Sequence, residues 1–144
     1  MFTDNSQNGV DAIYVVPSQG GTPERLIPKE SGPHADLTWS PDGKKVVYST
    51  IPWLGIGNFS PAKIEVRILE LATRRTITLP HRPEGFRSPR WSPDGRYIAA
   101  LKPHNLSIFD LKTQRWKDLS SKGAERLSQL VKGWPVYLLP ARNR

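Results

Sequence analysis

The sequence predicts an all-β fold built from repeated four-stranded antiparallel sheets, and two internal similarities support this prediction. The pentapeptide Trp-Ser-Pro-Asp-Gly occurs without change at residues 39–43 and 91–95, an offset of 52 residues. Residues 66–79 and 106–119 form a second similar pair at an offset of 40 residues. Each pentapeptide is followed by a short apolar stretch that is typical of a β-strand. The chain is therefore predicted to contain two copies of one structural unit.

The pentapeptide has the composition of a tight turn between antiparallel strands. Proline sets its φ near about −65°, serine and aspartate side chains hydrogen-bond the local backbone, and glycine tolerates a positive φ. A tryptophan at the end of the first strand offers a large ring for burial, so we expect Trp39 and Trp91 to be core anchors. The motif residues are Trp39, Ser40, Pro41, Asp42 and Gly43 in one unit, and Trp91, Ser92, Pro93, Asp94 and Gly95 in the other.

Each unit is predicted to hold four strands. The first ends at the tryptophan, the second follows the turn, the third ends in Leu-x-Thr, and the fourth ends at Leu79 or Leu119. Residues 13–26 resemble the third and fourth strands of an earlier unit, with a Gly-Gly turn between them. The difference between the two offsets places an insertion at residues 51–63 of the first complete unit.

Four short antiparallel strands in a unit of about 40 to 50 residues are typical of one blade of a β-propeller. Helical spacing of apolar residues also predicts a short helix within residues 123–132. On this interpretation residues 1–28 are a half blade made of strands three and four of a preceding unit, residues 29–80 are a full blade with the long inserted loop 51–63, residues 81–120 are a second full blade, and residues 121–144 are the degenerate tail of a further unit.

About two and a half blades cannot close a ring, because closed propellers have about four to eight blades. We therefore expect a partial propeller that is a fragment of a longer protein or one part of an oligomeric ring. The end blades of an open arc expose apolar strands and unpaired edges, so we also expect marginal stability or self-association through those edges.

Two stretches of the sequence resemble a bacterial repeat family. The run Pro-Arg-Trp-Ser-Pro-Asp-Gly-Arg-Tyr-Ile-Ala at 89–99, followed by Ser-Ile-Phe-Asp-Leu-Lys-Thr at 107–113, resembles the TolB-type, WD-repeat-like propeller repeats of bacteria. Residues 13–26 are similar to the strand pair that links one blade of this family to the next. The resemblance implies a propeller that binds, gates or scaffolds, as in periplasmic TolB, in sensor halves of bacterial regulators and in the non-catalytic propellers of prolyl-oligopeptidase-like enzymes. It implies no catalytic residue in the turn.

Composition restricts the classes of protein further. The chain has 144 residues, 37% hydrophobic and none Cys, which excludes a disulfide scaffold, a cysteine zinc site and a grossly disordered polymer. A formal net charge of +8 makes anionic partners physically reasonable. Residues 1–10 lack the basic and apolar regions of a signal peptide, and no apolar run approaches the roughly 18 residues of a membrane span. The sequence leaves the compartment open.

No catalytic, cofactor-binding or metal-binding residue is predicted. Asp42 and Asp94 lie in different units, in turns that explain them, so we assign them to the turns rather than to an acid–base pair. His34, His81 and His104 show no metal-ligand spacing, and we expect them in solvated loops. The sequence contains no nucleophile elbow, no phosphate-binding Gly-rich loop and no paired-histidine zinc motif.

Arginines near the second turn and between the third and fourth strands raise the alternative of a phosphate-binding face. We interpret them as charges that keep a strand-rich surface soluble, because they are spread over different turns. Nucleic-acid binding is therefore not expected. The residues are Arg74, Arg75, Arg82, Arg87, Arg90 and Arg96.

The inserted loop 51–63 is the predicted partner-binding site. Trp53 and Phe59 are large aromatic residues in a Pro- and Gly-rich segment, and such residues commonly anchor protein interfaces. The alternative is that the loop only covers the open edge of its own blade.

The predicted function is a non-enzymatic module for protein interaction or sensing, with a protein or peptide as its partner. The alternative is the propeller portion of a prolyl-oligopeptidase-like serine peptidase, in which an α/β-hydrolase domain outside this chain performs the chemistry.

Alanine replacement of Trp53 and Phe59 distinguishes the two roles of the inserted loop. If the loop binds a partner, the double variant loses affinity in a binding assay and keeps the wild-type urea midpoint, because hot-spot aromatics contribute about 2 kcal/mol or more to binding. A lowered urea midpoint with unchanged affinity would instead assign the loop to the blade edge.

Overall fold

The computed structural model describes residues 2–5, 11–27, 34–50, 64–80, 85–102 and 105–119. Within these ranges the chain forms eleven β-strands in three antiparallel sheets and no helix, which confirms the predicted all-β class. The expected helix and the tail at 121–144 lie outside the described residues. The same ranges hold no helix that combines the length and the hydropathy needed to cross a bilayer.

The first sheet contains one strand more than the sequence indicated. It consists of β1 (Phe2–Asn5), β2 (Asp11–Val15) and β3 (Glu24–Arg25), paired in that order. β2 and β3 are the predicted third and fourth strands, and the turn between them carries Gly20 at φ 89° and Gly21 at φ 136°. β1 pairs with β2 along its whole length and occupies the place of a second strand. The interpretation of residues 1–28 as a two-strand half blade therefore needs this correction.

The second and third sheets repeat one arrangement. In each sheet four strands lie side by side in chain order, and every neighbouring pair is antiparallel. The first strand ends at the tryptophan of the pentapeptide and the second follows the turn, as predicted. The second sheet is β4 (His34–Trp39), β5 (Lys45–Thr50), β6 (Glu65–Glu70) and β7 (Thr76–Thr78), and the third is β8 (Arg87–Trp91), β9 (Tyr97–Leu101), β10 (Leu106–Asp110) and β11 (Arg115–Leu119).

The first strands of these two sheets share one irregularity. β4 shifts its register against β5 around Asp36, and β8 shifts against β9 around Ser88. Asp36 has a φ of 56° and Ser88 a φ of 51°, which is the left-handed region that residues other than glycine seldom adopt. The two residues are 52 positions apart, which is the offset of the pentapeptide. The backbone repeat therefore includes this bulge, although the side chains there differ.

The second and third sheets pack face to face. Val47 and Ile68 of the second sheet belong to one core cluster with Trp91, Phe109 and Trp116 of the third. All five side chains are buried. Burial of large aromatic and branched side chains is the main favourable term for such a junction, since each contributes roughly 1.5–3 kcal/mol relative to an exposed position.

Trp116 makes specific contacts at this junction in addition to its buried area. Its ring stacks on Phe86 with centroids 3.8 Å apart and planes 15° from parallel. Its indole Nε1 donates a hydrogen bond to the Pro80 carbonyl at 2.8 Å, so the polar end of the side chain is satisfied in the linker that precedes the third sheet.

The first and second sheets present equivalent apolar faces towards the sheet that follows each of them in the chain. In the first sheet the Leu26 N–H donates to the Ile13 carbonyl at 2.7 Å, and in the second the Leu79 N–H donates to the Val66 carbonyl at 2.9 Å. The matching bonds show that the first sheet is built on the same pattern as the complete ones. The equivalent residues are Ile13, Val66 and Leu106; Val15, Ile68 and Ile108; and Leu26, Leu79 and Leu119.

The prediction that both motif tryptophans are core anchors is confirmed for Trp91 and wrong for Trp39. Trp91 is 8% exposed, whereas Trp39 is 39% exposed. β8 packs beside β4, so Trp91 has the first strand of the preceding sheet as its neighbour. The described part of the first sheet has no strand equivalent to β4, and the ring of Trp39 therefore stays open to solvent.

This difference predicts unequal effects of the same substitution. Trp91→Ala should lower the free energy of unfolding by about 3–5 kcal/mol, because it leaves a cavity between two packed sheets. Trp39→Ala, the matched control in the other repeat, should cost about 1 kcal/mol or less. Urea unfolding followed by circular dichroism measures both, and equal losses would contradict the assignment of Trp91 as an anchor.

Candidate functional site

Both Ser-Pro-Asp-Gly turns are closed by the same hydrogen bonds. In the first turn the Gly43 N–H donates to the Ser40 carbonyl at 2.9 Å, and the Lys45 N–H donates to Ser40 Oγ at 2.9 Å. Ser40 Oγ donates to Asp42 Oδ1 at 2.6 Å, and this oxygen also accepts the Lys44 N–H at 3.0 Å. The second turn repeats all four bonds. The aspartate in each copy is a turn residue, as predicted.

These hydrogen bonds lower the pKa of both aspartates. For Asp94 the largest cause is the hydrogen bond from the Ser92 hydroxyl, followed by the backbone N–H of Arg96. For Asp42 the hydroxyl of Ser40 has the same effect, followed by the next backbone N–H. Donors to the charged form stabilise it, so both carboxylates are ionised at neutral pH.

A cleft of about 230 Å³ lies between the two turns, at one end of the second and third sheets. A Cβ added to Gly95 would lie 3.8 Å from Pro41 Cδ, which shows how closely the two turns approach. Trp91 Nε1 is buried and has no hydrogen-bond partner among the described residues. Two acidic residues, one basic residue and several apolar ones line the cleft: Pro41, Asp42, Lys45, Trp91, Asp94 and Leu111.

A separate polar network joins the first strands of the two sheets. Asp36 Oδ2 accepts the Ser88 N–H at 3.1 Å and the Ser88 hydroxyl at 3.2 Å. Arg90 Nη1 donates to Thr38 Oγ1 at 3.1 Å and to the Pro89 carbonyl at 2.9 Å. Thr38 Oγ1 in turn donates to the same carbonyl at 3.1 Å. These hydrogen bonds hold β8 against β4, and the residues that make them lie in or beside the two bulges.

The predicted partner-binding residues Trp53 and Phe59 lie outside the described residues, and their role stays a prediction. His81, His104 and Arg82 lie outside them as well. No group of three or more His, Cys, Asp or Glu side chains that could hold a metal ion occurs in the described ranges.

His34 lies in β4 and not in a loop, which corrects its predicted placement. The ladder between β4 and β5 extends back to the pair formed by His34 and Thr50, so the strand begins earlier than the apolar pattern indicated.

Several arginines of the predicted basic set contact other parts of the protein. Arg74 forms an ion pair with Glu24 of the first sheet, and Arg96 pairs with Asp110 at 3.3 Å. Arg90 is held in the network between β4 and β8. These contacts support the interpretation of the arginines as charges distributed over separate turns and junctions.

Sequence reasoning missed the cleft between the turns, although one signal for it was present. Identical turns in adjacent units lie at the same end of neighbouring sheets, so they face each other. The contribution of Leu111, which follows β10, could not be inferred, because it depends on where a later strand of the third sheet ends.

No known protein-family profile matches the chain. An uncharacterized protein of Agrobacterium fabrum is 33% identical over 97 residues, which cover 67% of this chain and 30% of that protein. The chain therefore spans about a third of the length of this relative.

Two solved structures relate the sheets to known folds. A structure from Agrobacterium tumefaciens that carries the name TolB matches with a TM-score of 0.66 and 24% identity, over 82% of this chain and 40% of that chain. The β-propeller domain of the trilobed protease from Pyrococcus furiosus matches with a TM-score of 0.55 and 16% identity, over 81% of this chain and 37% of that chain. The described sheets have a TolB-like β-propeller fold, and they correspond to part of a propeller, as the sequence predicted.

The lowered pKa of Asp94 predicts a pH-dependent effect of its serine partner. A depressed folded-state pKa gives a stabilisation that is complete above the unfolded value, near 3.8, and is lost as the pH falls through the lowered folded value. The destabilisation caused by Ser92→Ala should therefore be largest at neutral pH and shrink below about pH 4.

Carbon-13 NMR titration of the carboxyl groups supplies the control. Ser92→Ala should raise the pKa of Asp94 and leave that of Asp42 unchanged, and Ser40→Ala should do the reverse. Unchanged pKa values in both variants would show that the hydroxyl groups do not hold the carboxylates in their charged form.

Proposed function

We propose that this chain forms part of a TolB-like bacterial β-propeller that acts as a non-enzymatic module and binds a protein or peptide, for interaction or sensing. The observation that carries the proposal is that the motif residues form the turns. Asp42 and Asp94 are the residues that raised the alternative of an acid–base pair, and each uses one carboxylate oxygen to close its own turn. The described residues offer a small polar cleft at those turns, which suits recognition of a side chain.

The size of the cleft is compatible with a peptide partner that inserts one side chain. Pockets that enclose drug-sized ligands measure about 300–1,000 Å³. A cleft of about 230 Å³ is smaller than this range and comparable with one long side chain. A peptide that inserts one side chain and rests on the surrounding turns fits this geometry. Self-association through open sheet edges stays a further prediction.

The second candidate is the propeller portion of a prolyl-oligopeptidase-like peptidase. The likeness to the propeller domain of the trilobed protease favours it. The sequence that adjoins this chain in its gene distinguishes the candidates. A Gly-x-Ser-x-Gly nucleophile elbow downstream would favour the peptidase, and a winged-helix or kinase domain upstream would favour the sensing module.

Selection from a displayed peptide library, followed by calorimetry, tests the proposal. We expect the purified chain to enrich peptides that bind saturably, at micromolar or tighter dissociation constants, and to leave them intact when the mixture is examined by mass spectrometry. A propeller without these repeats is the control for non-specific capture. Cleavage of the peptides, or no enrichment over the control by a folded chain, would contradict the proposal.

A further inference from the structure

The two turn carboxylates belong to exposed residues, and each has one oxygen without a partner among the described residues. Asp42 Oδ1 and Asp94 Oδ1 each accept a serine hydroxyl and a backbone N–H. No hydrogen bond or ion pair joins either Oδ2 to another described residue. The two free oxygens belong to different sheets, and both aspartates line the same cleft. A ligand that bridges them must carry donors pointing in two directions.

Trp91 supplies an independent indication of a ligand in this cleft. It is 8% exposed, yet its Nε1 has no acceptor in the described part of the chain. Buried polar groups in folded proteins are nearly always paired, so an orphaned donor needs an explanation. Trp91 is one of the residues that line the cleft, so its orphaned donor lies beside the space that a bound ligand would occupy.

The remaining walls of the cleft suit an aliphatic stem beneath a charged head. Pro41 and Leu111 are apolar, and the aromatic Trp91 contributes a third wall. Long cationic side chains bury their methylene groups on apolar surfaces and keep the charged end at polar groups. The volume of about 230 Å³ admits one such side chain.

We propose that the cleft between the two Ser-Pro-Asp-Gly turns binds the guanidinium group of an arginine side chain in the partner peptide, bridged between Asp42 Oδ2 and Asp94 Oδ2. This inference rests on the proposed function, which it narrows to a chemical class of ligand. Guanidinium fits better than ammonium, because its planar fork presents several N–H groups in fixed directions and stacks on aromatic rings.

Nearby cations reduce the affinity for a cationic ligand. They also determine whether removal of a positive charge strengthens or weakens binding. Lys45 lines the cleft and lowers the pKa of Asp42 through its charge, as does Lys44, while Arg96 acts on Asp94. A cationic ligand is repelled by Lys45, whereas an anionic ligand would be attracted to it. Removing this one charge therefore separates the two classes of ligand.

The test uses the full chain and three short peptides, acetyl-Gly-Arg-Gly-amide and its citrulline and lysine analogues. Binding is followed through the nitrogen-15 indole resonance of Trp91, assigned by its loss in Trp91→Phe. We expect a saturable shift of this resonance with the arginine peptide at millimolar concentration, and about tenfold weaker binding of the uncharged citrulline peptide. The lysine peptide should fall between them. No saturable shift with the arginine peptide, or equal binding of the citrulline peptide, would overturn the inference.

Charge-removing variants test the named residues. Asp42→Asn and Asp94→Asn keep the Oδ1 acceptor that closes each turn, so the double variant should fold and bind the arginine peptide at least about tenfold more weakly. Glu24→Gln, an exposed position on the first sheet, is the matched control and should bind like the wild type. Lys45→Gln should strengthen binding. Weaker binding by Lys45→Gln, or unchanged binding by the folded double variant, would contradict a guanidinium site.

Failure of this inference is distinguishable from failure of the proposed function. If library-selected peptides bind the chain but their affinity is unchanged in Asp42→Asn/Asp94→Asn, the chain is a binding module that uses another surface. If no peptide binds at all, the proposed function itself is contradicted.

Discussion

The structure depends on the burial of one sheet face against the next. A four-stranded sheet has two sides, and each side of the second sheet carries residues that are removed from water only by a neighbouring sheet. Val46, Tyr48 and Leu69 form a cluster with residues of the first sheet, and Val47, Val66 and Ile68 form one with the third. The burial of each apolar face therefore depends on the neighbouring sheets, and no single sheet could be stable without them. This requirement explains why equivalent residues of the first and second sheets are buried or half-buried.

Burial alone does not fix how two sheets are oriented, and the polar contacts at their edges provide that restriction. At one end, Pro41 of one turn lies against Gly95 of the next. Along the first strands, Asp36 holds the backbone of Ser88. Hydrogen bonds and close turn contacts have narrow geometric tolerances, whereas apolar contact does not. The cleft between the turns is a result of this arrangement, since repeating one turn in adjacent sheets brings two identical carboxylates to the same place.

The sequence was informative where structure is local and uninformative where it depends on a neighbouring sheet. The turn bonds of Ser40 and Asp42 follow from their types and spacing, because they involve only residues within five positions of each other. Trp39 and Trp91 are followed by the same four residues, and their different exposure arises from the sheet that precedes each one. β1 was missed because Phe-Thr-Asp-Asn has one large apolar residue and two that are depleted in strands. The positive φ values at Asp36 and Ser88 could not be predicted either, because different side chains occupy the equivalent positions of the two bulges.

The bridge between Asp36 and Ser88 has a consequence for the junction of the second and third sheets. A carboxylate that reaches the amide of the adjacent first strand at 3.1 Å sets the distance between those strands, because neither the short side chain nor the bulged backbone can extend further. Ser88 occupies the position equivalent to Asp36 in the third sheet, so this carboxylate bridge belongs to one junction and is not a property of every blade. A substitution at position 36 would therefore alter the spacing of the first strands at this junction alone.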